Sequence, residues 1–311
     1  MPDEPGDRRH QVSQRSSPSA MQLRSRVAGT VVPGLDLRPY VSGEFVDVRG
    51  EQTIAVVDPM TRQVLAEMPE AGPGQVAVAV AAARDAFDSG PWPRLPARER
   101  AAALERLADA VERNAETLAL LEATDTGKVL AGVRGWDIPQ AAAAFRFYAR
   151  LALELDDVPL SVAGGRSVRL VHTPVGVCAA VIPWNFPFAC TAWKVAPALA
   201  AGCTVVVKSP ERAPLSAQAL ARLVAEAGFP PGVVNLVAGR GETTGRHLVT
   251  DPRVDAITFT GSFATARSIV EGSLRRLPRT VLELGGKGAT LVFDDCDLDA
   301  AVAGTLDAAF D

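Results

Sequence analysis

From Val175 onward the chain alternates short apolar runs with helix-like stretches, and this alternation restricts the possible folds more than any other feature of the sequence. Residues 177–182, 204–207, 233–237, 256–259 and 280–284 read as strands, the first of them apolar throughout. Residues 190–201, 216–227, 243–248 and 262–271 read as helices between them, with Ser216 as an N-cap and Gly228 as a stop. Apolar strands separated by helices predict a parallel sheet covered on both faces. The expected fold class is therefore α/β, a doubly wound, Rossmann-like parallel sheet. Ligands of such sheets bind at the carboxyl ends of the strands.

Upstream the texture differs. Residues 1–35 are rich in Arg, Ser and Pro without a period, and are expected to form a disordered tail. Residues 38–70 read as short strands, including Tyr40-Val41, Glu44-Phe45-Val46 and a run ending at Asp58-Pro59. Helices are expected over 77–87, 97–124 and 137–154, the second with Leu104, Leu107, Ala108 and Val111 on one buried face. Residues 158–173 read as an exposed hairpin turning at Gly164-Gly165, a surface suited to subunit contact. No internal repeat is evident.

Composition excludes several function classes. The 311 residues carry 36 acidic and 32 basic side chains, a net charge of −4, which argues against a nucleic-acid binder. At 48% hydrophobic and 22% charged, the chain is globular in composition. The longest apolar run, 195–207, contains Pro197 and Gly202 and falls short of the ~20 residues a membrane span needs. The first residues hold Arg8, Arg9, Arg15, Arg24 and Arg26 but no apolar stretch, so no secretory signal is expected, whether the start is Met1 or Met21. Cys178, Cys190, Cys203 and Cys296 form no C-x-x-C pair, and His10, His172 and His247 form no metal-spaced set. The expectation is a cytoplasmic protein with reduced thiols and no metal.

The strand ends carry the chemistry. They read Pro183-Trp184-Asn185-Phe186-Pro187, Lys208-Ser209-Pro210-Glu211, the loop 239–245 with Gly239, Gly241 and Gly245, then Thr260-Gly261-Ser262, and Glu283-Leu284-Gly285-Gly286-Lys287. The glycine loop is either a phosphate cradle or an ordinary strand-to-helix turn. Thr260-Gly261-Ser262 offers close backbone approach and a helix N-terminus to a pyrophosphate. Lys208 and Glu211 suit the hydroxyls of a ribose, or form a solvated surface pair. Asn185, between two prolines, is either a fixed oxyanion donor or a turn residue. Glu283 is either a base in a cleft or an acid just outside a strand.

In order and spacing these five segments resemble the aldehyde dehydrogenase superfamily. The likeness extends upstream through Asp58-Pro59, Ala81-Ala82-Ala83-Arg84 and Asp125-Thr126-Gly127-Lys128, covering residue 38 to the end. The resemblance implies an NAD(P)-dependent oxidation of an aldehyde to a carboxylic acid through a Cys thiohemiacetal and thioester. It implies Asn185 as the oxyanion donor and Glu283 as the general base. It matches Lys208 and Glu211 to the ribose-binding pair, with Glu211 favouring NAD over NADP because a carboxylate repels a 2′-phosphate. Ile182, Trp184, Gly241, Gly245, Thr260, Gly261, Ser262 and Leu284 match positions lining the cofactor. The organisation implied is an NAD-binding domain over 36–155 and 175–284, an oligomerisation hairpin over 156–174 and the start of a second, catalytic α/β domain over 285–311. A homodimer or homotetramer is implied for the complete protein.

Two departures stand out. Ala266 occupies a position where many members have Gly. The family's nucleophilic Cys, in a G-Q-x-C context roughly 34 residues after the position of Glu283, would fall about six residues beyond Asp311. Cys296 comes too early and follows Asp294-Asp295, an acidic setting that raises a thiol's pKa. Residues 298–310 read as a helix without a terminator. The expectation is an aldehyde dehydrogenase cut short, inactive as the 311-residue chain. The alternative is a non-catalytic NAD-binding remnant or pseudoenzyme, or a remnant too incomplete to fold.

Overall fold

The structure, a computed structural model, describes residues 34–48, 52–155, 157–161, 164 and 166–310. Most of the tail expected over 1–35 and Gly165 of the expected hairpin turn lie outside them. The first strands, β1 (Tyr40–Val41) and β2 (Glu44–Phe45), pair antiparallel with Tyr40 opposite Phe45. β3 (Thr53–Val57) and β4 (Val64–Pro69) form a separate antiparallel pair. Alternate residues of β3 are buried, the period expected of a strand with one covered face.

Helix α1 (Pro73–Asp88) starts with proline in its first turn and buries Val76, Ala79, Val80 and Ala83, the spacing of one helical face. The helix expected over 97–124 is two helices, α2 (Ala97–Arg113) and α3 (Ala115–Thr126). Asn114 divides them. Its backbone leaves the helical region, and its side-chain amide donates to the Ala110 carbonyl at 2.9 Å. Gly127, at φ +79°, ends α3 in the left-handed conformation. A short turn, Leu130–Gly132, and a wide π-helical turn, Val133–Asp137, lead into α4 (Ile138–Glu154). β5 (Val158–Ser161) and β6 (Ser167–Leu170) then form the expected hairpin, exposed along both strands.

The remaining elements alternate: β7 (Val177–Val181), α5 (Pro187–Ala200), β8 (Thr204–Ser209), α6 (Leu215–Ala227), β9 (Val234–Ala238), α7 (Arg246–Thr250), β10 (Ala256–Gly261), α8 (Phe263–Ser273), β11 (Arg279–Leu284) and α9 (Leu298–Phe310). Helix α5 begins three residues earlier than expected, with Pro187 preorganising its first turn. Ser216 is not an N-cap. It lies inside α6, fully buried, and its hydroxyl donates to Glu122. The helix expected at 243 instead opens at Gly241 with a wide turn, Gly241–Gly245, that runs into α7.

The main sheet has the order β11-β10-β7-β8-β9-β1-β2. The five strands from β7 to β11 are mutually parallel, and β1 joins β9 antiparallel. Side chains on the two faces enter two clusters. Cys178, Ala180, Val205, Val207 and Leu236 pack with α2, α4, α5 and α6, whereas Val177, Ala179, Val181, Val206 and Val237 pack with α1, α7 and α8. That is a doubly wound α/β sheet, as the apolar runs predicted. Successive strands leave β7 in one direction to β8 and β9, and later strands return to its other side at β10 and β11. The switch point therefore lies between β7 and β10, where such sheets open a crevice. No helix among the described residues is long and apolar enough to cross a membrane.

Candidate active site

Register brings the predicted residues to one edge. Phe259, Val181, Lys208 and Val237 stand side by side across β10, β7, β8 and β9, and Glu283 lies opposite Thr260 on β11. Strands in a sheet lie about 4.8 Å apart, so the five strand ends share one continuous rim. The Ile182 N–H donates to the Lys208 carbonyl at 3.2 Å and ties the exit of β7 to β8. Beyond it the chain turns outward through Pro183, leaving Trp184 56% exposed and Asn185 exposed.

At the end of β8, Lys208 is buried and its Nζ donates to Glu211 Oε2 at 2.7 Å. Burial pushes the lysine amine down, and the glutamate partly offsets this. Burial would push Glu211 up, but the charge and hydrogen bond of Lys208 outweigh it and hold the carboxyl below its ordinary range. An ion pair with one buried and one accessible member is better ordered than a surface pair. It presents acceptor and donor atoms together at the rim.

The glycine loop follows β9. Gly239 is required by close approach: a Cβ there would stand 1.9 Å from Thr244 Oγ1. The Thr244 hydroxyl donates to the Ala71 carbonyl at 2.6 Å, which pins the loop to the end of β4. Gly241 is exposed with open space at its Cβ position, whereas Gly245 is buried. Gly261, between β10 and α8, is packed above the Phe259 ring, where a Cβ would lie 2.5 Å from Cζ. Ser262 caps α8 by accepting from the Thr265 N–H at 3.2 Å. Thr260 is half-buried, and Glu283 and Leu284 are exposed on the edge strand.

Three groups at this rim escaped the sequence reading. Glu70, buried at the end of β4, accepts from the Arg240 N–H at 3.1 Å and from the Thr243 hydroxyl, and pairs with the Arg240 guanidinium. Lys194, buried on α5, donates to Thr258 Oγ1 at 3.1 Å. Burial pushes its amine down, with Cys190 and Glu283 pulling the other way. Glu122 lies beneath the 183–187 turn and accepts from the Phe188 N–H. A lone charge inside an apolar helix was the available signal for Lys194, whereas Glu122 shares its helix with Glu116 and Asp125 and nothing in the pattern set it apart. Glu70 carried none, because its partners are 170 or more residues away.

The cysteines are not at this rim. Cys178 and Cys203 lie buried at the amino ends of β7 and β8, at the opposite edge. Their shared hydrogen bond and burial push Cys178 up. Burial pushes Cys190 up to about 11. Cys296 is exposed, between β11 and α9. Among the described residues no three or more His, Cys, Asp and Glu side chains gather as a metal site would need.

The family model for the aldehyde dehydrogenase family matches residues 45–311. The chain is 43% identical over 263 residues to aldehyde dehydrogenase family 2 member B4, mitochondrial, of Arabidopsis thaliana, covering 84% of this chain and 49% of that protein. A crystal structure of a putative aldehyde dehydrogenase from Burkholderia cenocepacia superposes with a TM-score of 0.85 at 45% identity, over 89% of this chain and 56% of the other. Betaine aldehyde dehydrogenase from Staphylococcus aureus, solved in complex with NAD+, superposes with a TM-score of 0.87 at 33% identity, over 91% and 56%. The chain thus spans about half the length of the curated relatives it matches. With the five strand-end segments on one rim at the switch point, this chain belongs to the aldehyde dehydrogenase family.

Proposed function

We propose that this chain forms the cofactor-binding part, and carries the first reacting residues, of an enzyme that oxidises an aldehyde to a carboxylic acid with NAD. The observation that carries this reading is the common rim of Asn185, Lys208, Glu211, Gly261 and Glu283 around the β7–β10 switch point. The residues suit a nicotinamide dinucleotide: an ordered Lys–Glu pair for ribose hydroxyls, and glycines where the backbone must be reached. When bound, the cofactor supplies the hydride acceptor. Lys208 and Glu211 hold its ribose. Ile182, Trp184, Gly241, Gly245, Thr260, Gly261, Ser262 and Leu284 line its path. The anionic Glu211 disfavours a 2′-phosphate, so NAD is preferred over NADP.

Asn185 donates its amide N–H to the aldehyde oxygen as that oxygen gains charge. Glu283, exposed on the edge strand, takes the proton from the attacking thiol or from the hydrolytic water. Cys178, Cys190 and Cys203 are unsuited to be that thiol, being buried and in two cases at the wrong edge. This placement favours a second reading, in which the 311 residues bind NAD and do not turn over aldehyde.

The exposed apolar side chains Val158, Leu160, Val168 and Leu170 of the hairpin suit a contact with another subunit, in a dimer or tetramer. The unpaired cysteines suit a reducing compartment, the cytoplasm. Calorimetric titration of the chain with NAD+ and with NADP+, followed by an assay of aldehyde-dependent NADH formation, tests the proposal. Saturable NAD+ binding supports it, and its absence refutes it. NADH formation that Glu283→Gln abolishes would refute the second reading.

A further inference from the structure

A buried ionic cluster lies behind Asn185, and the scheme above makes no use of it. Glu122, on α3, is fully buried. Its Oε2 accepts from the Phe188 N–H at 3.0 Å and from Ser216 Oγ at 2.7 Å. Its Oε1 has no hydrogen-bond partner in the protein and lies 3.9 Å from Lys128 Nζ. Lys128 pairs with Asp137 and stands 3.3 Å over the centre of the Phe186 ring. Trp136 meets the same ring edge-on, with centroids 5.4 Å apart.

The residues immediately after Asn185 are therefore gripped from beneath. Phe186 is held by an ammonium and an indole, and Phe188 by a carboxylate. Trp184 and Asn185 are exposed and have little packing of their own. Their orientation is inherited from these anchored neighbours and from Pro183 and Pro187. An oxyanion donor works only when held within about 0.5 Å of its productive position. A neutral acceptor would satisfy the Phe188 N–H at lower desolvation cost than a buried carboxylate. What the charge adds is its attraction for Lys128, which ties the two grips into one.

We propose that Glu122 is a positioning residue that, together with Lys128, holds the 183–187 turn so that the Asn185 amide faces the reacting carbonyl. This rests on the reading of Asn185 as the oxyanion donor. The titratable groups facing Glu122 are Asp125 on its own helix, Lys128 and Asp137 on the adjoining turns, and Cys190 on α5. Burial pushes Glu122 up to about 7, Asp137 adds to the rise, and Ser216, the Phe188 N–H and Lys128 oppose it. The anchor of the turn thus changes charge near neutral pH.

The test is fluorine NMR of the 311-residue chain labelled with fluorotryptophan, the Trp184 resonance being assigned with Trp184→Phe. The Trp184 signal is expected to titrate with a midpoint near 7, and Glu122→Gln to abolish that titration. Trp92, fully buried against Phe229, is the internal control for folding. Should Glu122→Gln not fold, Lys128→Met serves: removing the cation is expected to shift the Trp184 signal and raise its midpoint. A Trp184 signal left unchanged by both Glu122→Gln and Lys128→Met, or a titration that persists in Glu122→Gln, overturns the proposal. NAD+ titration of the same samples separates the two readings. Failure of the unsubstituted chain to bind NAD+ sinks the proposed function, while the Trp184 titration still decides the role of Glu122.

Discussion

Lys208 Nζ and Glu211 Oε2 stand 2.7 Å apart across the end of β8, the lysine buried and the glutamate 37% exposed. The arrangement leaves one carboxylate oxygen face open to a ligand while the cation stays fixed. On the proposed reading, replacing Glu211 with Gln removes a charge that repels a 2′-phosphate. The expected outcome is a shift of the NADP-to-NAD affinity ratio by about tenfold towards NADP, equivalent to about 1.4 kcal/mol. Parallel titrations with the two dinucleotides measure it.

Asn185 is exposed, so Asn185→Ala is expected to leave the unfolding free energy within about 0.5 kcal/mol of the unsubstituted protein. If Asn185 serves as the proposed oxyanion donor, the same change is expected to lower kcat for aldehyde oxidation by about 10²–10³. Melting curves and steady-state rates on the same preparations distinguish a catalytic loss from a folding loss.

Glu283 lies opposite Thr260 on an edge strand and is exposed. Glu283→Gln is expected to preserve both the melt and NAD+ binding, and to flatten the low-pH limb of the pH–rate profile for aldehyde oxidation. A rate profile unchanged in shape would remove Glu283 from the base role.

Gly239→Ala places a methyl group 1.9 Å from Thr244 Oγ1 at a backbone φ of +155°. The loop must shift, at an expected cost of about 1–3 kcal/mol. Thermal denaturation should show the fall, and NAD+ affinity should fall with it because Gly241 and Gly245 ride on the same loop.

Glu122 sets a pH dependence of stability. A carboxyl whose folded pKa lies above its unfolded value binds its proton more tightly when folded. Its contribution is complete below about 4.5 and is lost as the pH rises through about 7. Burial raises Asp125 in the same direction. The melting midpoint is therefore expected to fall between about pH 5 and 7, by the equivalent of about 2–3 kcal/mol for Glu122. Glu122→Gln should flatten that slope, as melts at a series of pH values would show.

Much of the architecture was legible because it depends on local pattern. The apolar runs became β7 to β11, and the separation of β7 from β10 by two other strand–helix units produced the switch point. The misread elements turn on contacts that sequence spacing does not encode. Asn114 divides α2 from α3 through a bond to a carbonyl one turn back, and a run of good helix formers on both sides concealed it. Ser216 had the residue type of a cap, but Glu122, 94 residues away, claims its hydroxyl.

The amino-acid sequence by itself determined the α/β class, the parallel sheet and the identities of Asn185, Lys208, Glu211, Gly261 and Glu283 at the strand ends. These follow from hydrophobic period and from residue types whose chemistry is local. Only the tertiary structure decided that Lys208 is buried while Glu211 is not, that Glu70 grips the 239–245 loop, and that Glu122 and Lys128 underpin the turn bearing Asn185. Burial and long-range hydrogen bonds depend on which surfaces meet when the helices pack on the sheet. Those meetings join residues tens to hundreds of positions apart, and no periodicity along the chain records them.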